Sequence, residues 1–147
     1  MLKISGIKRV AAVAALLMCF STMVYAGERE KLFVNLTSDD IDRAAMAINF
    51  STRVLTKKDI PVTIFLNVEG VRIADKNIPG HQHAKGKSLK EMLVAFIDQG
   101  GKVIVCPMCM QNVGGMSEQD LIDGAVVGDA GITWPAMFDE DTTVLSY

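Results

Sequence analysis

The chain has 147 residues, with 15 Lys+Arg set against 17 Asp+Glu. That length suits one domain, and a slightly acidic balance excludes a protein built to hold nucleic acid nonspecifically. Three cysteines are far too few for a disulfide-stapled scaffold.

Residues 1–26 read as an export signal. Lys3, Lys8 and Arg9 supply its positive start, an apolar run follows from Val10 to Phe20, and Val24-Tyr25-Ala26 fits the small-x-small cleavage pattern. The run is shorter than the roughly 20 residues that span a bilayer. An uncleaved N-terminal anchor is the alternative. Cys19 follows Met18, where a lipid-attachment signal needs a small residue. Cleavage after Ala26 leaves a domain at 27–147 with 12 Lys+Arg against 17 Asp+Glu and no further stretch of transmembrane length. The expectation is a soluble periplasmic or secreted domain, with no membrane contact after cleavage and no nucleic-acid partner.

Strands and helices then alternate. Leu32–Leu36 is a short apolar strand. Thr37 or Ser38 caps a helix of about 18 residues, whose Asp39 and Asp40 suit the positive end of the dipole. Its buried stripe is Ile41, Ala44, Ala45, Ile48, Thr52 and Leu55. Val62–Val68 is the second strand, and a polar loop runs from Asp75 to Lys87. Ser88-Leu-Lys-Glu91 is a capping box, and Leu89, Met92, Leu93, Phe96 and Ile97 form one helical face. Gly100-Gly101 stops that helix. Lys102–Val105 is the third strand. Ser117–Asp120 opens a short helix, and 125–127 and 143–145 are the last strands. Continuously apolar strands are covered on both faces, and strands separated by helices run parallel. The expected fold is therefore α/β, a three-layer α/β/α sandwich with a mostly parallel sheet of about five strands.

Chemistry concentrates at Cys106-Pro-Met-Cys109. Pro107 holds Cys106 extended, as at the end of a strand. The carboxyl ends of parallel strands are where ligands and reactive groups collect. The loop these thiols would close is too small to brace a domain, so chemistry explains them better than architecture. A nearby helix N-terminus would favour a thiolate able to attack a disulfide or persulfide, with the second cysteine resolving the adduct or sharing a metal. Two inert buried cysteines are the bland alternative. A thioredoxin-type site would follow an early strand, and structural zinc would need four ligands.

The segment Lys102-Val-Ile-Val-Cys106-Pro-Met-Cys109-Met-Gln-Asn-Val-Gly114 resembles the DsrE/DsrF-like family, particularly its YchN-like branch. Trp134–Phe138 and Thr143–Tyr147 resemble that family's last helix and strand. The resemblance implies a DsrE-like domain that handles sulfane sulfur or thiol/disulfide exchange, with Cys106 and Cys109 as site residues. It also implies homo-oligomers, trimers or hexamers, and a sulfur-donor or redox protein as partner. The export signal departs from the family's cytoplasmic members and removes tRNA from reach.

Other residues offer less. No cofactor motif is present: Gly86-Lys87-Ser88 lacks the phosphate-loop glycine, since His81 stands in its place. A Cu(I) site is the non-enzymatic alternative, using Cys106 and Cys109 with Met110, His81 or His83, because soft thiolates and thioethers suit that ion. Against it, the loop with His81 and His83 reads more simply as a solvated polar loop, and Met108, Met110 and Met116 as core or contact fillers. Trp134-Pro135 reads as packing.

Overall fold

The computed structural model describes residues 31–84 and 86–147; the expected export signal lies outside them. Five strands, β1 (Lys31–Leu36), β2 (Val62–Leu66), β3 (Lys102–Val105), β4 (Ala125–Val127) and β5 (Thr142–Ser146), form one sheet in the order β4-β3-β2-β1-β5. Every pairing is parallel. Parallel neighbours need crossovers, supplied here by α1 (Ile41–Lys58), α2 (Leu89–Asp98), α3 (Pro107–Cys109) and α4 (Ala130–Phe138). The expected α/β architecture and strand number hold, and the sheet is wholly parallel.

The two faces of the sheet follow the alternation of each strand. Leu32, Val34, Leu36, Val62, Ile64, Leu66, Val103 and Val105 meet Ala44, Ala45, Ala47 and Ile48 of α1 and Leu89, Leu93 and Phe96 of α2. Phe33, Phe65 and Ile104 point the other way, against Ala136 and Met137 of α4. The Phe33 and Phe65 rings lie 5.9 Å apart, tilted by 35°. That second face is covered thinly, and Trp134 and Phe138 on α4 are 62% and 73% exposed. Trp134 therefore does not fill the core, because α4 turns its Ala136–Met137 side to the sheet.

Local signals explain the ends of the elements. α1 has the expected length, but its cap is Asp40, which accepts the Arg43 N–H at 3.0 Å, rather than Thr37 or Ser38. Those two residues finish the strand exit: Thr37 donates its hydroxyl to the Tyr147 carbonyl at 2.7 Å. The Ser88–Glu91 capping box forms as expected. Gly101 cannot carry a side chain, since a Cβ there would sit 2.3 Å from the Phe96 ring.

Candidate thiol site at the carboxyl end of the sheet

β3 delivers Cys106 to the carboxyl edge of the sheet. Its N–H donates to the Leu66 carbonyl at 2.9 Å, so strand pairing continues through it. Its ψ of 117° is the extended value that Pro107 imposes. Cys106 is also the N-cap of a helical segment, and its carbonyl accepts the Met110 N–H at 2.8 Å. The segment expected as a loop is thus helical: one α turn, Pro107–Cys109, runs into a π turn, Met110–Gly114. Proline at the first helical position carries no N–H to leave unpaired, so the sequence favours starting a helix there. Cys109 falls three residues on, one turn above Cys106.

Both thiols are free and half-buried. Cys106 packs against the Phe33–Phe65–Ile104 cluster, and Cys109 packs against the larger core on the other side. Burial pushes the Cys109 thiol up, the Val68 N–H facing its sulfur opposes that, and Cys106 and then Glu69 add to the rise. The physical result is a Cys109 that stays a neutral thiol beside Cys106.

Val68 and Glu69 come from an element the sequence reading missed. β2 stops at Leu66, two residues before the expected end at Val68, and Val68–Ala74, of which the sequence suggested no element beyond Val68, is a 310 helix. Its entry is forced: Val68 has φ of 47°, a left-handed conformation unusual for a β-branched residue. Gly70 pins the turn, because a Cβ there would lie 2.4 Å from the Leu36 carbonyl oxygen. Its N–H donates to Asn67 and Thr37 carbonyls at 2.9 and 3.2 Å. Gly114 allows the cysteine-bearing segment to approach this turn, since a Cβ there would meet Val71 at 3.2 Å and the Met116 side chain more closely. The glycine in Asn-Val-Glu-Gly was the available signal.

A polar row crosses the same edge on the Cys106 face. Asn35 donates its amide to the Ser146 hydroxyl at 3.3 Å, and Asn67 donates to Asn35 Oδ1 at 2.8 Å. Asn67 Oδ1 is buried and has no partner among the described residues. The signal for this row was an asparagine at or just beyond the end of two apolar strands.

Of the other proposed ligands, the methionine Met110 belongs to the core that Cys109 packs against, and the two histidines lie elsewhere. Met110 and Met116 are buried in the core, whereas Met108 is exposed at the tip. His81 lines a separate cavity with Asp39, Arg72 and Lys90, and His83 Nε2 lies 3.8 Å from Asp42. Among the described residues, no three His, Cys, Asp or Glu side chains come together as a metal-holding group. No described helix is long and apolar enough to cross a membrane.

The profile of the DsrE/DsrF-like family matches residues 14–147. Of solved structures, the YchN protein from E. coli superposes with a TM-score of 0.64 at 18% identity, over 80% of this chain and 98% of that one. Protein MTH1491 from Methanobacterium thermoautotrophicum, a protein of unknown function, gives 0.63 at 16% identity, over the same shares. No curated protein matches the chain.

Proposed function

Because the chain belongs to the DsrE/DsrF-like family, a family tied to sulfur relay, we propose that it is an exported carrier of sulfane sulfur that works through Cys106 with Cys109 as partner. The observation that carries this is the pair of free thiols one helical turn apart at the carboxyl end of β3. In the proposed step the Cys106 thiolate attacks the outer sulfur of a hydropersulfide. A bond forms from Cys106 Sγ to that sulfur, the donor's S–S bond breaks, and the donor leaves as a thiolate that takes a proton from solvent. The sulfur then passes to an acceptor thiolate. Alternatively, Cys109 attacks Cys106 Sγ, forming the disulfide and breaking the persulfide S–S bond, and its thiol proton goes to the departing sulfur, which leaves as hydrogen sulfide.

A neutral Cys109 suits this order, since it does not compete for the incoming sulfur. Labelled sulfane sulfur should load the parent protein and Cys109→Ser, but not Cys106→Ser. Loading of Cys106→Ser at the parental level would refute the assignment. Cu(I) bound stoichiometrically through both thiols, without sulfur loading, would replace the proposal with the binding-module reading.

Export rests on the first 26 residues. Protein recovered outside the cytoplasm should begin at Gly27, and a chain retained in the cytoplasm with residues 1–26 intact would refute it. The reading also includes assembly of identical copies, for which Trp134, Phe138, Val126 and Val144 offer exposed apolar side chains.

A further inference from the structure

A cavity that neither cysteine lines lies among the segments that leave the carboxyl ends of β1 and β2. Its walls are the chain after β1 at Asp39, the end of the 310 helix at Arg72, the loop from Ile78 to His81, and the first turn of α2. The walls are held by backbone. The Leu89 N–H donates to the His81 carbonyl at 3.0 Å. Gly80 lets the loop lie on the start of α2, since a Cβ there would be 2.7 Å from the Ser88 Cβ. The space enclosed is about 60 Å³, room for about four water-sized groups. This end of a parallel sheet is where ligands collect.

The charges around this space do not balance. The Asp39 carboxylate is matched by Arg72 at 3.1 Å. Lys90 is half-buried and donates its ammonium to the Ile78 carbonyl, and no carboxylate among the described residues lies within ion-pair reach of it. Arg72 and Lys90 against Asp39 thus leave one positive charge uncompensated. A half-buried ammonium that meets only a neutral carbonyl favours an anion beside it. The rest of the lining is largely apolar: Ile73 and Leu89 are buried, and Ile78 and Pro79 join them. We infer that the cavity binds a small carboxylate on a short apolar tail, with Lys90 and Arg72 taking the charged end. The 310 helix that supplies Arg72 also carries Val68 and Glu69 beside Cys109, so the ligand sits one element away from the thiols. The inference stands whether or not Cys106 carries sulfur.

The probe is propionate, titrated into the isotope-labelled protein and followed by amide NMR shifts. The Ile73, His81 and Leu89 amides should move together and saturate, with an affinity of about millimolar, which a ligand this small can reach. Neutral propionamide, of the same shape, should bind about tenfold more weakly, the effect of losing a charge-assisted hydrogen bond. Formate, which lacks the tail, should also bind about tenfold more weakly. Lys90→Met should weaken propionate about tenfold. Asp39→Asn removes the one carboxylate lining the cavity among the described residues and should tighten propionate about threefold, a gain that a damaged fold would not produce. No saturable shift at tens of millimolar propionate overturns the inference. So do propionamide or formate binding as tightly as propionate, a parental affinity in Lys90→Met, or an Asp39→Asn affinity no tighter than the parent's.

Discussion

Gly70→Ala tests whether the turn beside the thiols is fixed by close backbone approach. The added methyl would lie 2.4 Å from the Leu36 carbonyl oxygen and 3.1 Å from its carbon. Neither atom belongs to a side chain that could rotate away. The 310 turn must therefore lift from the end of β1, which weakens the Gly70 N–H bonds to Asn67 and Thr37. Overpacking of this kind costs about 1–3 kcal/mol, and a weakened hydrogen bond adds about 1 kcal/mol. The sum is a loss of about 2–4 kcal/mol, large against the roughly 5–15 kcal/mol of a typical domain. Urea unfolding should show a lower midpoint with an unchanged slope. Alanine is otherwise the better helical residue. A neutral or stabilised Gly70→Ala would therefore refute the close approach and, with it, the account of how Asn67 and Val68 are placed.

Val68→Gly should leave stability within about 1 kcal/mol of the parent, because relief of a left-handed valine offsets glycine's extra unfolded-state entropy; a loss as large as that of the fully buried Val71→Gly would show that the turn holds no strain. At alkaline pH, burial keeps the Cys109 thiol protonated above its ordinary value, with the Val68 N–H opposing and Cys106 and Glu69 adding to the rise. The unfolded chain then ionises first, near pH ~8.5, so stability present below that pH is lost as pH rises toward the folded value. Cys109→Ser should flatten that decline in urea titrations, and an equally steep decline in the variant would refute it. Trp134→Ser with Phe138→Ser should reduce the assembled mass in light scattering while leaving the monomer's unfolding midpoint unchanged, and an unaltered assembly would place the contact elsewhere.

What the sequence made legible were features with a local cause. The α2 face, the Ser88–Glu91 box and the apolar strands each announce themselves within a few residues, and parallel pairing follows from the alternation of strand and helix. The boundaries that failed depend on distant partners. Thr37 looks like a cap, yet its hydroxyl goes to Tyr147 at the far end of the chain. Val62–Val68 reads as one strand because valine favours extended backbone, and only the contact of Gly70 with Leu36 turns the chain at Asn67. Pro107 marks Cys106 as the end of a strand, and the same proline is also the start of a helix. The thiol pair was visible as a motif, whereas Asn35, Asn67, Val68, Glu69 and Ser146 reach its edge of the sheet only through the fold.

The central claim is that Cys106 carries sulfane sulfur. Intact mass spectrometry of protein recovered outside the cytoplasm without reductant, followed by peptide mapping, tests it most directly. The account predicts a reductant-labile gain of one sulfur atom, located on Cys106 and absent from Cys106→Ser. A parent protein that never gains sulfur in the presence of a persulfide donor, or one that gains it equally in Cys106→Ser, would contradict the account.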